Sequence, residues 1–250
     1  MGDLITYDVA DGVAHLELNR PDAANALDLP LAQALRAAVE RADSDADVRA
    51  VLLTGAGKRF CAGGDVQSFV ASSDPEAYLQ ELALEADAAT RALAGLVKPV
   101  VAGVRGAVAG AGLALMLSCD LAVADPDTKF VFAYPSIGLT PDCGLSYLLP
   151  RAVGQQRALQ FALLGKPASV DEALVWGLIA EGADDPVGRA RELAVEFADG
   201  PARALGETRR LLRAGWETDR ISTGVEEART ISEMVTRPEA QELVRRFAGR

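Results

Sequence analysis

The sequence predicts an α/β fold: a body of buried strands and helices to about residue 195, then a helical section over residues 196–250. Three observations predict it. Short apolar runs of strand length, such as "AVLLT" (50–54) and "PVVAGV" (99–104), are followed by glycines. Segments with apolar residues at helical spacing alternate with them. Beyond Gly154 helical patterns dominate, separated by "GKPAS", "EGADDP" and "DGP".

The elements follow in order. In "VAHLELN" (13–19), Ala14, Leu16 and Leu18 face one way and His15, Glu17 and Asn19 the other, which reads as a half-buried strand with His15 on the surface of the sheet. Asp28 is a good N-cap, and Leu31, Leu35, Ala38 and Val39 recur behind it at helical spacing. "AVLLT" is a buried strand, and residues 76–96 form a long helix. "PVVAGV" is a second buried strand, followed by the Gly-rich 106–112 and an apolar helix, "LALMLSC". "LAVA" (121–124) and "FVFA" (130–133) read as further strands. The last section is charged (Arg209, Arg210, Glu226, Glu227, Arg245, Arg246) and alone would bury little, so it is expected to pack on the body or on another subunit.

Composition narrows the function. The 250 residues are 50% hydrophobic, enough for a sizeable core, and only 5% aromatic. Net charge is −11, from 25 basic and 36 acidic residues. Such a surface repels nucleic acid and anionic membranes, so neither is an expected partner, and an anionic small ligand needs local Lys or Arg. Cys61, Cys119 and Cys143 form no C-x-x-C pair and His15 is the only histidine, which argues against a zinc site and for reduced thiols in a cytoplasmic protein. The N-terminus, "MGDLITYD", lacks a signal-peptide pattern; its match to M-G-x-x-x-[ST] acylation is too short to carry weight. The longest uncharged run, Gly106–Cys119, is too short and Gly-rich to span a bilayer.

Two Gly-rich segments are candidates for chemistry. "TGAGKRFCAGGD" (54–65) is not a phosphate loop, because that spacing needs Gly at Leu52 and a hydroxyl at Arg59. What remains is a basic turn and then Ala62, Gly63, Gly64 and Asp65, where exposed backbone N–H groups could bind a polarised oxygen. "RGAVAGAGLALMLSCD" (105–120) places Gly110, Ala111 and Gly112 at a helix start, whose first N–H groups lack internal partners. Two such donors aimed at one oxygen make an oxyanion hole; a plain tight turn and close helix–strand packing are the alternatives.

"RPDAANALD", "FCAGGD", "VRGAVAGAGLALMLSCDLAVA", "IGLTPDCGLSYLLPRAVG" and "GLIAE" occur in the order, and at about the spacing, of the crotonase (enoyl-CoA hydratase/isomerase) superfamily. The resemblance covers nearly the whole chain. It implies a spiral of β-β-α units, a core over 1–195 that binds acyl-CoA, and a C-terminal helical trimerisation region over 196–250. It implies a homotrimer or a dimer of trimers. It implies that the backbone N–H groups of Gly64 and Ala111 stabilise an enolate, and that Ala24, Ala26, Ala62, Asp65, Val66, Gly110, Tyr134 and Pro141 lie about the thioester. Lys58, Arg59 and Arg20 are candidate partners for the CoA phosphates. No separate cofactor or metal is implied, coenzyme A being part of the substrate.

The resemblance also bears on the reaction. The two glutamates of the family's hydratases correspond here to Ala114 and Tyr134, and neither replacement can hold a water as general base. Asp142, alone among apolar and small residues in "TPDCG", matches the single acid of one class of Δ3,Δ2-enoyl-CoA isomerases and of the epoxyphenylacetyl-CoA isomerases. One carboxylate suffices to move a proton between C2 and C4. The alternative is that Asp142 caps a helix starting near Leu145. A 4-chlorobenzoyl-CoA dehalogenase is the rival within the superfamily, sharing "GAGL", an aromatic at Tyr134 and an acid at Asp142, but its assisting histidine has no match because Arg91 falls near that place. A non-catalytic acyl-CoA-binding protein is the rival from another class. Cys143 has no histidine to activate it and reads as a packing residue.

Overall fold

The computed structural model describes residues 2–249; Met1, part of the acylation pattern, lies outside them. The chain opens with a hairpin of β1 (Ile5–Ala10) and β2 (Val13–Leu18), then α1 (Leu29–Ser44), β3 (Ala50–Gly55), α2 (Val66–Val70) and α3 (Pro75–Gly95). It continues through β4 (Val100–Val104), β5 (Ala107–Ala109), α4 (Ala111–Ser118), β6 (Leu121–Ala124) and β7 (Lys129–Val131). Helices α5 (Leu145–Val153), α6 (Gln155–Leu164) and α7 (Val170–Trp176) follow, then β8 (Glu181–Gly182) and α8 (Pro186–Asp199). The chain ends in α9 (Ala202–Ala214), α10 (Arg220–Met234) and α11 (Pro238–Ala248).

The main sheet runs β1-β2-β3-β4-β6-β8, with only β1 and β2 antiparallel. Their turn is Asp11-Gly12, with φ of 55° and 73°, the left-handed pair that a two-residue hairpin requires. The parallel strands are buried on both faces. Val51, Leu53, Val100 and Ala102 face the larger core beneath α1 and α3, while Ala50, Leu52 and Val101 pack against Ala190, Leu193, Ala194 and Ala198 of α8. Gly103 allows that second approach, since a Cβ there would lie 3.0 Å from the Pro186 carbonyl oxygen. Residue 195 lies inside α8, so the helices that leave the sheet behind begin after Asp199.

A second layer carries the Gly-rich segments. Leu27 bridges to Gly64, Cys61 bridges to Val108, and β5 pairs in parallel with β7, so four separate stretches lie side by side. The strand expected over 130–133 is shorter than its apolar run: β7 ends at Val131, because β5 offers only three residues and Pro135 opens a 3₁₀ turn over Tyr134–Ile137. Phe132 and Tyr134 leave the strand and meet edge to face, with ring centroids 5.5 Å apart.

The long helix and the apolar helix lie where the pattern places them, over Pro75–Gly95 and Ala111–Ser118. His15 differs from the expected surface position. It lies half-buried on the face that α8 covers, with Nε2 2.7 Å from Thr54 Oγ1. A helix over the second sheet face accounts for this, which strand alternation alone does not reveal.

Burial lowers the His15 pKa, more than Glu17 raises it. The unfolded chain, with an ordinary histidine pKa of about 6.5, therefore binds this proton more readily than the native state. The stability tied to neutral His15 is complete above that value and is lost as pH falls toward the lower native pKa. A His15→Gln variant should show a flatter decline in stability between about pH 6.5 and 5 than the wild type, measured by urea unfolding across that range.

Candidate active site

The site grows from backbone contacts between the two Gly-rich segments. Cys61 N–H donates to the Ala107 carbonyl (3.4 Å) and Ala109 N–H donates to the Cys61 carbonyl (3.0 Å). Gly106 and Gly112 both make close approaches: a Cβ would sit 2.2 Å from the Lys58 carbonyl oxygen at Gly106 and 2.4 Å from the Cys61 carbonyl oxygen at Gly112. Gly63 and Gly110 also face each other, since a Cβ on Gly110 would lie 3.6 Å from the Gly63 Cα. Both adopt positive φ, 103° and 51°.

These contacts leave two amides unused. Leu27 N–H donates to the Gly63 carbonyl and Asp65 N–H to the Leu27 carbonyl, both at 2.8 Å. Gly64 lies between the two residues that bond to Leu27, and its own N–H takes no part in that bridge. Ala111 is the first residue of α4, behind Gly110 at the N-cap. Among the described residues, neither the Gly64 nor the Ala111 N–H has an acceptor.

Asp142 is linked to Gly110, the residue before Ala111, through Tyr134. Its carboxylate does not cap α5: Gly144 is the N-cap residue, with no side-chain bond, and Leu145 N–H donates to the Asp142 backbone carbonyl instead (3.0 Å). Asp142 Oδ1 accepts a hydrogen bond from the Tyr134 hydroxyl at 2.5 Å. The Tyr134 ring in turn lies on Gly110, whose missing Cβ would be 3.7 Å from the ring carbon that bears the hydroxyl. Burial first, then the Asp142 charge, push the Tyr134 pKa far up, so the phenol remains a donor. The half-buried Asp142 and Pro141 line a cavity of about 310 Å³ with Leu79 and Ala83 of α3, and exposed Glu76 reaches its rim. A cleft of about 470 Å³ between α4 and α9 is larger, but its charged groups, Asp120, Arg209 and Arg213, are paired with one another.

The other named residues divide by what they touch. Ala24 is left-handed (φ 53°), and its carbonyl accepts from Ala62 N–H (3.1 Å), which brings Ala24 and Ala26 to the Gly64 turn. Asp65 is engaged within the loop: it caps α2 through Gln67 N–H (3.1 Å) and pairs with Arg20 (3.0 Å). Arg20 also pairs with Asp28 (3.2 Å), so it ties loops together and is not a free cation for phosphates. Lys58 and Arg59 remain exposed. Val66 is exposed just beyond the turn. Ala114 is fully buried within α4, and Cys143, its thiol pKa raised by burial and by Asp142, packs in the core. Among the described residues no cluster of three His, Cys, Asp or Glu side chains could hold a metal ion, and no helix is long and apolar enough to cross a membrane.

Asn25 is the residue whose role the motifs did not reveal. It is fully buried with φ 53°; Oδ1 accepts from Arg20 N–H (2.8 Å), and Nδ2 donates to the carbonyls of Ala56 (2.9 Å) and Arg59 (2.7 Å). An Asn inside an alanine-rich stretch was the available signal.

The chain matches the sequence profile of enoyl-CoA hydratase/isomerase over residues 8–250. It belongs to that family. It is 36% identical to the 1,2-epoxyphenylacetyl-CoA isomerase of Escherichia coli, over 89% of this chain and 86% of the relative. It is 31% identical to the 4-chlorobenzoyl coenzyme A dehalogenase-2 of an Arthrobacter species, over 98% and 91%. The crystal structure of an enoyl-CoA hydratase from Mycobacterium smegmatis superposes with a TM-score of 0.91 at 32% identity, covering 98% of this chain and 96% of that one. The family is enzymatic, its substrates are consistent with acyl-CoA thioesters, and the fold is the crotonase fold.

The Gly112 contact leads to a simple expectation. Gly112→Ala forces a methyl against a backbone carbonyl, so it should cost about 1–3 kcal/mol and separate the two turns. Urea unfolding reads the stability, and a loss of CoA-ester binding reads the separation.

Proposed function

We propose that this enzyme is an acyl-CoA isomerase, of the Δ3,Δ2-enoyl-CoA or ring-epoxide phenylacetyl-CoA type. The N–H groups of Gly64 and Ala111 hold the thioester oxygen. For a 3-enoyl-CoA, Asp142 takes a proton from C2; the resulting dienolate places its charge on that oxygen; Asp142 then delivers the proton to C4, leaving the double bond between C2 and C3. Two preorganised donors aimed where charge develops are worth more than the same donors in water, and losing one typically costs roughly 10²–10³ in rate.

One observation carries this reading: Asp142 does not cap its helix but accepts from Tyr134, whose ring rests on the turn that presents Ala111. The carboxylate so held is single, as a proton shuttle needs, and Ala114 and Tyr134 occupy the positions where hydration would require acids. The isomerase from Escherichia coli supports the choice, and its name makes the ring-epoxide substrate a specific candidate. The dehalogenase likeness is the second reading, but His15 is held by Thr54 on the far face of the sheet and cannot assist at Asp142. Coenzyme A is part of the substrate and no cofactor takes part. Exposed Lys58 and Arg59 are available to its phosphates. The three free, buried thiols accord with a cytoplasmic setting.

Asp142→Asn should lower isomerisation of a 3-enoyl-CoA by at least about 10³ while CoA-ester binding persists. The wild type should also exchange the C2 protons of a bound acyl-CoA in D₂O. Binding without exchange would indicate a carrier instead of an enzyme, and unchanged turnover in Asp142→Asn would reject the assignment.

The reading extends to assembly as a homotrimer or a dimer of trimers. It is supported by apolar side chains that the C-terminal helices leave uncovered, with Ile221 80%, Ile231 70% and Phe247 81% exposed. Replacing Ile231 and Phe247 together with Asp should shift the native mass toward a single chain, as read by light scattering.

A further inference from the structure

The hydrogen bond between Tyr134 and Asp142 connects the proposed base to the proposed oxygen site, and neither member makes it for packing alone. A phenol removed from water needs a partner, but any acceptor would serve. Here the partner is the one acid of the segment, and the distance of 2.5 Å is that of a charge-assisted O–H···O⁻ bond. The same ring is fixed at two further points. Its hydroxyl-bearing carbon lies against Gly110, and Phe132 meets it edge to face at 5.5 Å. The hydroxyl end of the ring therefore touches both Gly110, the residue before Ala111, and the Asp142 carboxylate, and Phe132 holds the ring from its side.

We propose that Tyr134 is a positioning residue that sets the Asp142 carboxylate at a fixed reach from the oxygen held by Gly64 and Ala111. This rests on the reading of Asp142 as the base. The hydroxyl occupies Oδ1; the Cys143 thiol also bonds to the carboxylate, and Oδ2, which accepts from no N–H or O–H among the described residues, is the oxygen left to carry the proton. A carboxylate on a short side chain can rotate about two bonds. Tethering one oxygen removes that freedom, so the second oxygen presents the same lone pair to C2 and to C4 in turn. The turn beneath is equally constrained, because Cys143 and Gly144 are both left-handed, with φ of 52° and 71°. Backbone and side chain thus aim the same group. Tyr134 itself does not exchange a proton with substrate, its pKa being pushed far above the working range by burial and by Asp142.

The test is a cycle of Tyr134→Phe, Asp142→Asn and the double variant. Each is measured for kcat and KM with a 3-enoyl-CoA, for C2 proton exchange in D₂O, and for unfolding in urea. Phe keeps the ring on Gly110 and Phe132 and removes only the donor. Tyr134→Phe should lower kcat and the exchange rate together by about 10- to 100-fold, the worth of one hydrogen bond to a charged group, with KM little changed. The double variant should be no slower than Asp142→Asn alone. A Tyr134→Phe enzyme with wild-type kcat, beside an inactive Asp142→Asn, would overturn the positioning role and leave the isomerase reading intact. A rise in KM matched by a fall in stability, with kcat unchanged, would reduce Tyr134 to packing. Full activity in Asp142→Asn would remove both proposals together.

Discussion

The whole site depends on how closely two stretches of backbone approach. Cys61 and Gly112 come so near that no side chain fits between the carbonyl of one and the α-carbon of the other. That contact fixes the segment 61–64 against β5 and the start of α4, and the paired hydrogen bonds of Cys61 with Ala107 and Ala109 keep it in register. Gly64 and Ala111 inherit their positions from it. A backbone N–H used as a ligand donor cannot be moved by a rotamer, so its accuracy equals that of the main chain around it. Small residues at 62–64 and 109–112 are the condition for this accuracy.

A second set of interactions holds the loop before α1 to the same place. Asn25 spends its amide on three backbone groups, and Arg20 joins Asp28 and Asp65, so the residues before α1, the turn after β3 and the cap of α2 form one polar unit. Asn25 leaves no buried polar atom of its side chain unsatisfied, which matters because such a group costs about 1–3 kcal/mol when orphaned. The left-handed backbone at Ala24 and Asn25 is held by these bonds and not by glycine.

The C-terminal helices attach through charge more than through apolar contact. Arg209 is buried, donates to Asp120 (2.7 Å) and to the carbonyls of Ala94 (3.0 Å) and Leu96 at the end of α3, and so caps that helix from α9. Asp120 accepts from Val100 N–H (2.8 Å), which carries the same network into the sheet. Arg210 pairs with Glu226 (2.8 Å) to hold α10 on α9, and no side chain of α11 is buried. The charges of residues 196–250, which suggested a section unable to bury much by itself, are in part the ties that dock it.

Sequence alone was enough for the order of elements, the motif positions and the solitary acid. Buried parallel strands are written as apolar runs, helices as a period near 3.6, and close backbone approach as glycine, because each is a local steric demand. Ala14, Leu16 and Leu18 on one face of β2 were legible for that reason. Tertiary structure decided what local rules leave open. The hairpin partner β1, the shortening of β7 and the helix α8 over His15 depend on which segments become neighbours. So does the fate of the Asp142 side chain, which "TPDCG" leaves free to cap the next helix; only packing of the 3₁₀ turn at 134–137 against Gly110 brings the Tyr134 hydroxyl to its carboxylate. Eight residues of separation carry no periodic signal, and a hydrogen bond across them is specified by the fold and not by the pattern.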